Sequence, residues 1–302
     1  MNRSTSPEAR NADTFHLLTP QLTRQLEFCE AQTAIACVAA LRRLRPGSRA
    51  AFRRIGSGVA VFTGIDSPIT QAVGIGLQGP VSETQIDQLE TFYRGFGDAV
   101  RVELCPLADK SLTEHFGKRG YRVVDYSNVL LRPFAANDAR SKTPKEISVE
   151  KIGTAQADLW TEIVARGFAE QVSVTTDLLE ALKLFVYAAG SECYLARVAG
   201  QPAGGAALGF RKGIASLSGA STLPEFRNRG VQTALLQTRL AKGKGQGCEL
   251  AMSIAHPGSV SHSKLERQGF RVAYTRVKFQ NDAKAKRDTT LARYKRSLPV
   301  QT

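Results

Sequence analysis

The sequence lacks any apolar run near the ~18 residues that a bilayer-spanning helix requires. Its N-terminus also lacks the charged, apolar, small-residue succession of a secretory signal. The five cysteines, Cys29, Cys37, Cys105, Cys193 and Cys248, are odd in number, scattered and without a CxxC pair. That pattern argues against a disulfide framework and for reduced thiols in a cytoplasmic protein. Together with His256 and His262 they make no zinc spacing, so no metal is expected. Nucleic-acid motifs are missing as well: there is no zinc-finger spacing and no aromatic-rich RNA-binding signature. The formal net charge of +14 over 302 residues therefore reads better as provision for a polyanionic small ligand than for nucleic acid.

What the chain does have is one stretch around which the rest is arranged, Pro224-Glu225-Phe226-Arg227-Asn228-Arg229-Gly230-Val231-Gln232-Thr233-Ala234-Leu235-Leu236. A strand-like run, 214–223, precedes it. Val231, Leu235, Leu236 and Leu240 then follow at helical spacing, so the stretch reads as a strand-to-helix turn. A helix start carries unpaired N–H groups and a partial positive charge, and so favours an anion. Gly230 leaves room for a ligand against the backbone. Arg227 and Arg229 add charge, Gln232 and Thr233 add donors, and no acid lies between Phe226 and Leu240. A phosphate-bearing ligand is expected there. A second glycine pattern, Gly74-Ile75-Gly76-Leu77-Gln78-Gly79, spells GxGxxG, but Pro80 spoils its entry into a helix and no βαβ unit follows.

The segment Arg227-Asn228-Arg229-Gly230-Val231-Gln232 resembles the acyl-CoA signature of the GCN5-related N-acetyltransferases (GNAT), Arg/Gln-x-x-Gly-x-Gly/Ala, with Gln232 where the family prefers a small residue. The order of elements supports the resemblance: strand, turn, helix, an alternating strand 248–255, the breaker Pro257-Gly258, a helix ended by Gly269, and a closing strand 270–279. The resemblance implies that acetyl-CoA is the co-substrate. Its pantetheine would run along Ser221, Thr222 and Leu223, and its pyrophosphate would meet Arg227, Arg229, Gly230, Val231, Gln232 and Thr233. The implied activity is transfer of an acetyl group to a primary amine by direct attack in a ternary complex. The acceptor would be a small molecule or a peptide amine, with no membrane partner. Many members place a Tyr four residues before the last Gly, where this chain has Leu265. Ser259, Ser261 and Tyr274 are the remaining candidates for handling the proton. Trp160, Phe168 and Tyr187 could line an acceptor cleft, though helical aromatics belong more often to a core. A coenzyme-sensing protein without turnover and a basic nucleic-acid-associated protein are the alternatives.

The chain also repeats itself. Gly120-Tyr121-Arg122-Val123-Val124 matches Gly269-Phe270-Arg271-Val272-Ala273 at an offset that also aligns a strand at Val100 with one at Glu249. The expected fold is α/β (a mixed sheet) in two tandem GNAT-like domains: an arm 1–18, a degenerate copy 19–134, a linker 135–145, a coenzyme-binding copy 146–280 and a basic tail 281–302. In the first copy Pro80 has no N–H, Val81 is branched, and Glu83 and Asp87 place negative charge in the first helical turns. That copy is expected not to bind coenzyme.

Overall fold

The computed structural model describes residues 18–139, 144–169 and 173–282. The expected arm and basic tail lie almost wholly outside them. The first half runs α1 (Pro20–Leu44), β1 (Ala51–Ile55), β2 (Gly58–Phe62), β3 (Ala72–Val73), α2 (Glu83–Arg94), β4 (Val100–Leu104), α3 (Ser111–Lys118) and β5 (Arg122–Pro133). The second runs β6 (Ile147–Lys151), α4 (Ala157–Phe168), α5 (Thr176–Tyr187), β7 (Ser191–Val198), β8 (Gln201–Arg211), β9 (Ile214–Thr222), α6 (Val231–Gly245), β10 (Leu250–Ala255), α7 (Val260–Arg267) and β11 (Arg271–Asn281).

Local chemistry sets the ends of most helices. The Thr19 hydroxyl accepts the Leu22 N–H at 3.1 Å to start α1, with Pro20 in the first turn, where its missing N–H costs nothing. Ser82 and Gln85 close a reciprocal capping box on α2. Ser259 rather than Ser261 caps α7, accepting the His262 N–H at 3.1 Å.

All eleven strands join one sheet in the order β1-β2-β3-β4-β11-β5-β10-β9-β8-β7-β6. The repeat is visible in the numbering: α3 and α7, like the starts of β5 and β11, are 149 positions apart (260 − 111 and 271 − 122). The closing strands are exchanged between the halves. β5 leaves the first half to pair antiparallel with β10, and β11 crosses back to pair antiparallel with β4. The two also pair with each other, and Ser127 faces Arg276, again 149 apart, so an approximate two-fold passes through that pair. A division of the chain at the linker therefore separates the copies in sequence but not in the sheet.

Alternation along the strands sends residues to two layers. Ala251, Ala255 and Leu130 pack with α6 and α7, and Val102 and Leu104 with α2 and α3. The opposite face carries α1 against Val59 and Val61, and α4 and α5 against Cys193, Leu195 and Ala207. Trp160 is fully buried there, its indole N–H on the Tyr194 carbonyl at 2.9 Å. It is a core residue, and Tyr187 packs with the α1 layer. Near the two-fold, α1 places Glu27 against Arg276 (2.8 Å) and under the Tyr274 hydroxyl, which donates to it at 2.6 Å. All five cysteines are buried free thiols. Among the described residues no helix is long and apolar enough to cross a membrane.

Candidate acyl-coenzyme site

β9 and β10 run parallel and pair from Ile214–Leu250 to Leu217–Ser253. Beyond that point they part, and the Ser253 hydroxyl ties the apex by donating to the Leu217 carbonyl at 3.0 Å. Just after the apex, the register of β9 on β8 shifts between the Gly205–Ser221 and Ala207–Ser218 pairs, leaving Gly219 and Ala220 as a bulge. Gly219 takes φ +57 there, a conformation that costs any residue with a Cβ about 1–2 kcal/mol. The bulge turns this edge of β9 away from a regular ladder and toward the gap.

A cavity of about 520 Å³ fills the gap and extends over the start of α6. Its walls come from β9 (Ser218, Gly219, Ala220), the turn (Arg227, Asn228, Gly230), the first turns of α6 (Gln232, Thr233, Leu236), the end of β10 (Ile254, His256) and α7 (Ser261, Lys264, Arg267). Gly230 is the N-cap of α6 in the left-handed region, φ +86. It supplies no capping side chain, and no acid sits in the first turn. The opening N–H groups of α6 therefore face the cavity with the positive end of the helix behind them. Thr222 donates to Gln232 Oε1 at 3.2 Å and holds that amide at the rim. Arg227, Arg239, Lys264 and Arg267 line the cavity, and among the described residues no Asp or Glu does.

The corresponding turn of the first half is closed by its own groups. The Val81 N–H donates to the Ser111 hydroxyl at 2.8 Å, and the Ser82 N–H to Gln85 Oε1 at 2.9 Å. Glu83 pairs with Arg119, which also holds Asp87 at 2.7 Å. Two backbone donors at this helix start are thus consumed inside the fold.

Of the residues singled out in the sequence, Thr222, Arg227, Gly230, Val231, Gln232 and Thr233 line the cavity, as do Phe168, Ser259 and Ser261. Ser221 and Leu223 do not. Ser221 is buried with its hydroxyl on the Val164 carbonyl at 2.9 Å, and Leu223 is in the α4 core. Arg229 also stands apart, over the Phe226 ring and 4.0 Å from Glu146. Tyr274 lies away from the cavity, engaged with Glu27, and burial together with that carboxylate drives its pKa strongly upward. His256 reaches the cavity, but Nε2 is 3.1 Å from Asp125 and Nδ1 is 3.0 Å from the Pro257 carbonyl. Both ring nitrogens thus already have partners within the fold. Leu265 lines the wall without a proton to give. Asn228, Arg239, Ser253, Lys264 and Arg267 were not anticipated. For Lys264 and Arg267 a signal existed: two cations one helical turn apart beside a strand end.

The sequence model of the Acetyltransferase (GNAT) family matches residues 158–270. Residues 158–270 thus carry a GNAT-family domain. A GCN5-related N-acetyltransferase from Kribbella flavida is similar at 15% identity and a TM-score of 0.60, with 84% of this chain and 96% of that one covered. A tandem GNAT protein from the clavulanic acid biosynthesis pathway is similar at 12% identity and a TM-score of 0.54, covering 87% of this chain and 96% of the other. At such identities the likeness is one of fold. No curated protein matches the sequence.

Proposed function

We propose that this GNAT protein transfers an acetyl group from acetyl-CoA to a primary amine, in the second half of the chain, by direct attack within a ternary complex. The observation that carries the reading is the charge of the cavity: an uncapped helix start, cations on the turn and on α7, and no lining carboxylate among the described residues. Such a site suits a ligand with several phosphates. The N–H groups of Val231, Gln232 and Thr233 would hold the pyrophosphate, with Arg227, Lys264 and Arg267 around it. The edge of β9 from Ser218 to Thr222 would take the pantetheine, strand against strand, in place of 221–223. The thioester would reach the apex at Leu217 and Ser253, where the amine attacks its carbonyl carbon, the C–S bond breaks and the thiolate leaves.

Proton handling falls to Ser259 or Ser261, or to water, since a thiol of pKa ~8.5 is a tolerable leaving group. Ser259 uses an oxygen lone pair to cap α7, so its own hydroxyl proton is available to donate. Leu265 in the cavity wall favours a second reading, a protein that binds the coenzyme and turns it over poorly or not at all. Thiol release from acetyl-CoA, followed across a panel of amino acids, polyamines and peptides, separates the two. Amine-dependent release supports the enzyme. Saturable binding with no release from any acceptor supports the sensor.

A further inference from the structure

Arg239 is a charged group that phosphate binding leaves without a task. It stands on the face of α6 that carries Leu235, Leu236 and Leu240, is only 3% exposed, and lines the cavity. Its Nε donates to the Leu235 carbonyl at 3.1 Å, and its Nη1 to the carbonyls of Ala207 (3.1 Å) and Ser218 (3.4 Å), beside the bulge. Nη2 takes no hydrogen bond from the described residues, and no carboxylate among them lies within ion-pair distance. Burial lowers its pKa to about 10, so the group is still charged at neutral pH. Neutral carbonyls compensate a desolvated cation only in part, and a leucine here would continue the apolar face. The charge is explained by an anion that arrives with the ligand.

Position along α6 says which part of the ligand brings it. Arg239 is eight residues below Val231, about 12 Å at the helical rise of ~1.5 Å per residue. Phosphates at the helix start do not reach so far, and a pantetheine arm carries no charge. The guanidinium instead stands beside Ser218, one residue past the last β9–β10 pair at Leu217 and Ser253, near which the acyl group would lie. An acetyl group offers no anion. We infer that the cavity favours acyl groups that end in a carboxylate, short dicarboxylic thioesters of the malonyl or succinyl kind, with Arg239 pairing the distal carboxylate. The inference rests on the acyl-coenzyme reading above. Among the described residues no Asp or Glu lines the cavity, which fits it, since none of them repels a second negative charge. The reaction is the same: the amine nitrogen bonds to the thioester carbon, the C–S bond breaks, the thiolate takes up the proton the amine loses, and the distal carboxylate is unchanged.

The test is calorimetric titration of the full chain with acetyl-CoA, malonyl-CoA and succinyl-CoA. One of the dicarboxylic thioesters binds about tenfold or more tighter than acetyl-CoA, the effect of one charge-assisted hydrogen bond. Arg239→Gln, which keeps a donor for the carbonyls, reduces that preference to within about threefold while acetyl-CoA affinity holds. Arg239→Lys keeps part of it. Acetyl-CoA binding as tightly as both dicarboxylic thioesters in the unmodified protein overturns the inference and leaves the site intact. That comparison needs no variant to fold. Failure of all three to bind overturns the acyl-coenzyme reading itself.

Discussion

Gln232→Glu changes one atom type and one charge, and it separates coenzyme binding from folding because the two respond with opposite sign. Gln232 lies in the first turn of α6 at the rim of the cavity, with Oε1 accepting from Thr222 at 3.2 Å. A carboxylate keeps that acceptor and the side-chain shape. In the ligand-free protein the new charge sits at the positive end of a helix with no acid in its first turn, a gain of about 0.3–1 kcal/mol. The melting temperature should hold or rise by about 0.5–1.5 °C. With a phosphate at the same helix start, two like charges about 5 Å apart repel by about 0.8 kcal/mol in water and about 3 kcal/mol at an effective dielectric of 20. The dissociation constant for acetyl-CoA should therefore rise by about 4- to 150-fold, less so as salt is added. Calorimetry and a melting curve on the same preparation read both effects. Unchanged affinity in a variant that melts at the same or a higher temperature would refute the placement of phosphate on α6.

The strand exchange predicts that residues 146–282 are not stable alone as a monomer. Without the first half, β10 loses the six pairs it makes with β5, and β11 loses both neighbours. The fragment should dimerise, with β11 of each copy taking the place of β5 beside the partner's β10. A monomer by light scattering that unfolds cooperatively would contradict this. A pH effect is expected from Glu30, half-buried on α1. Burial raises its pKa above the ordinary carboxylate range, and Arg276 offsets this only partly. A carboxyl whose folded pKa is raised favours the native state while protonated, and that contribution is lost as pH climbs through the folded value. Glu30→Gln should therefore stabilise the protein at pH 8 and leave it nearly unchanged at pH 4. Equal shifts at both pH values would refute the assignment.

The turn from Pro224 to Leu236 was legible because its chemistry is local. A left-handed glycine, an uncapped helix and a missing first-turn acid can all be read from adjacent letters. The closed turn of the first half was legible for the same reason, since Pro80 and the Ser82–Gln85 box lie within six residues. The resemblance set Ser221 and Leu223 beside the pantetheine, yet neither lines the cavity: the bulge at Gly219–Ala220, which the sequence does not announce, changes which residues face the gap. Arg239 was missed because an arginine on a helix ordinarily reads as solvated; only packing against Ala207 and Ser218 shows it buried. The exchange of β5 and β11 was beyond the sequence in principle. Two copies of one strand carry nearly the same pattern, and which neighbour each chooses is decided by pairing across the whole chain.

One acyl-coenzyme site is expected, in the second half, and titration of the full chain with acetyl-CoA measures it. Saturable binding at one site per chain is the expected result, weakened by Lys264→Glu together with Arg267→Glu and untouched by Arg119→Ala in the first half. Two sites per chain, or none, would contradict it.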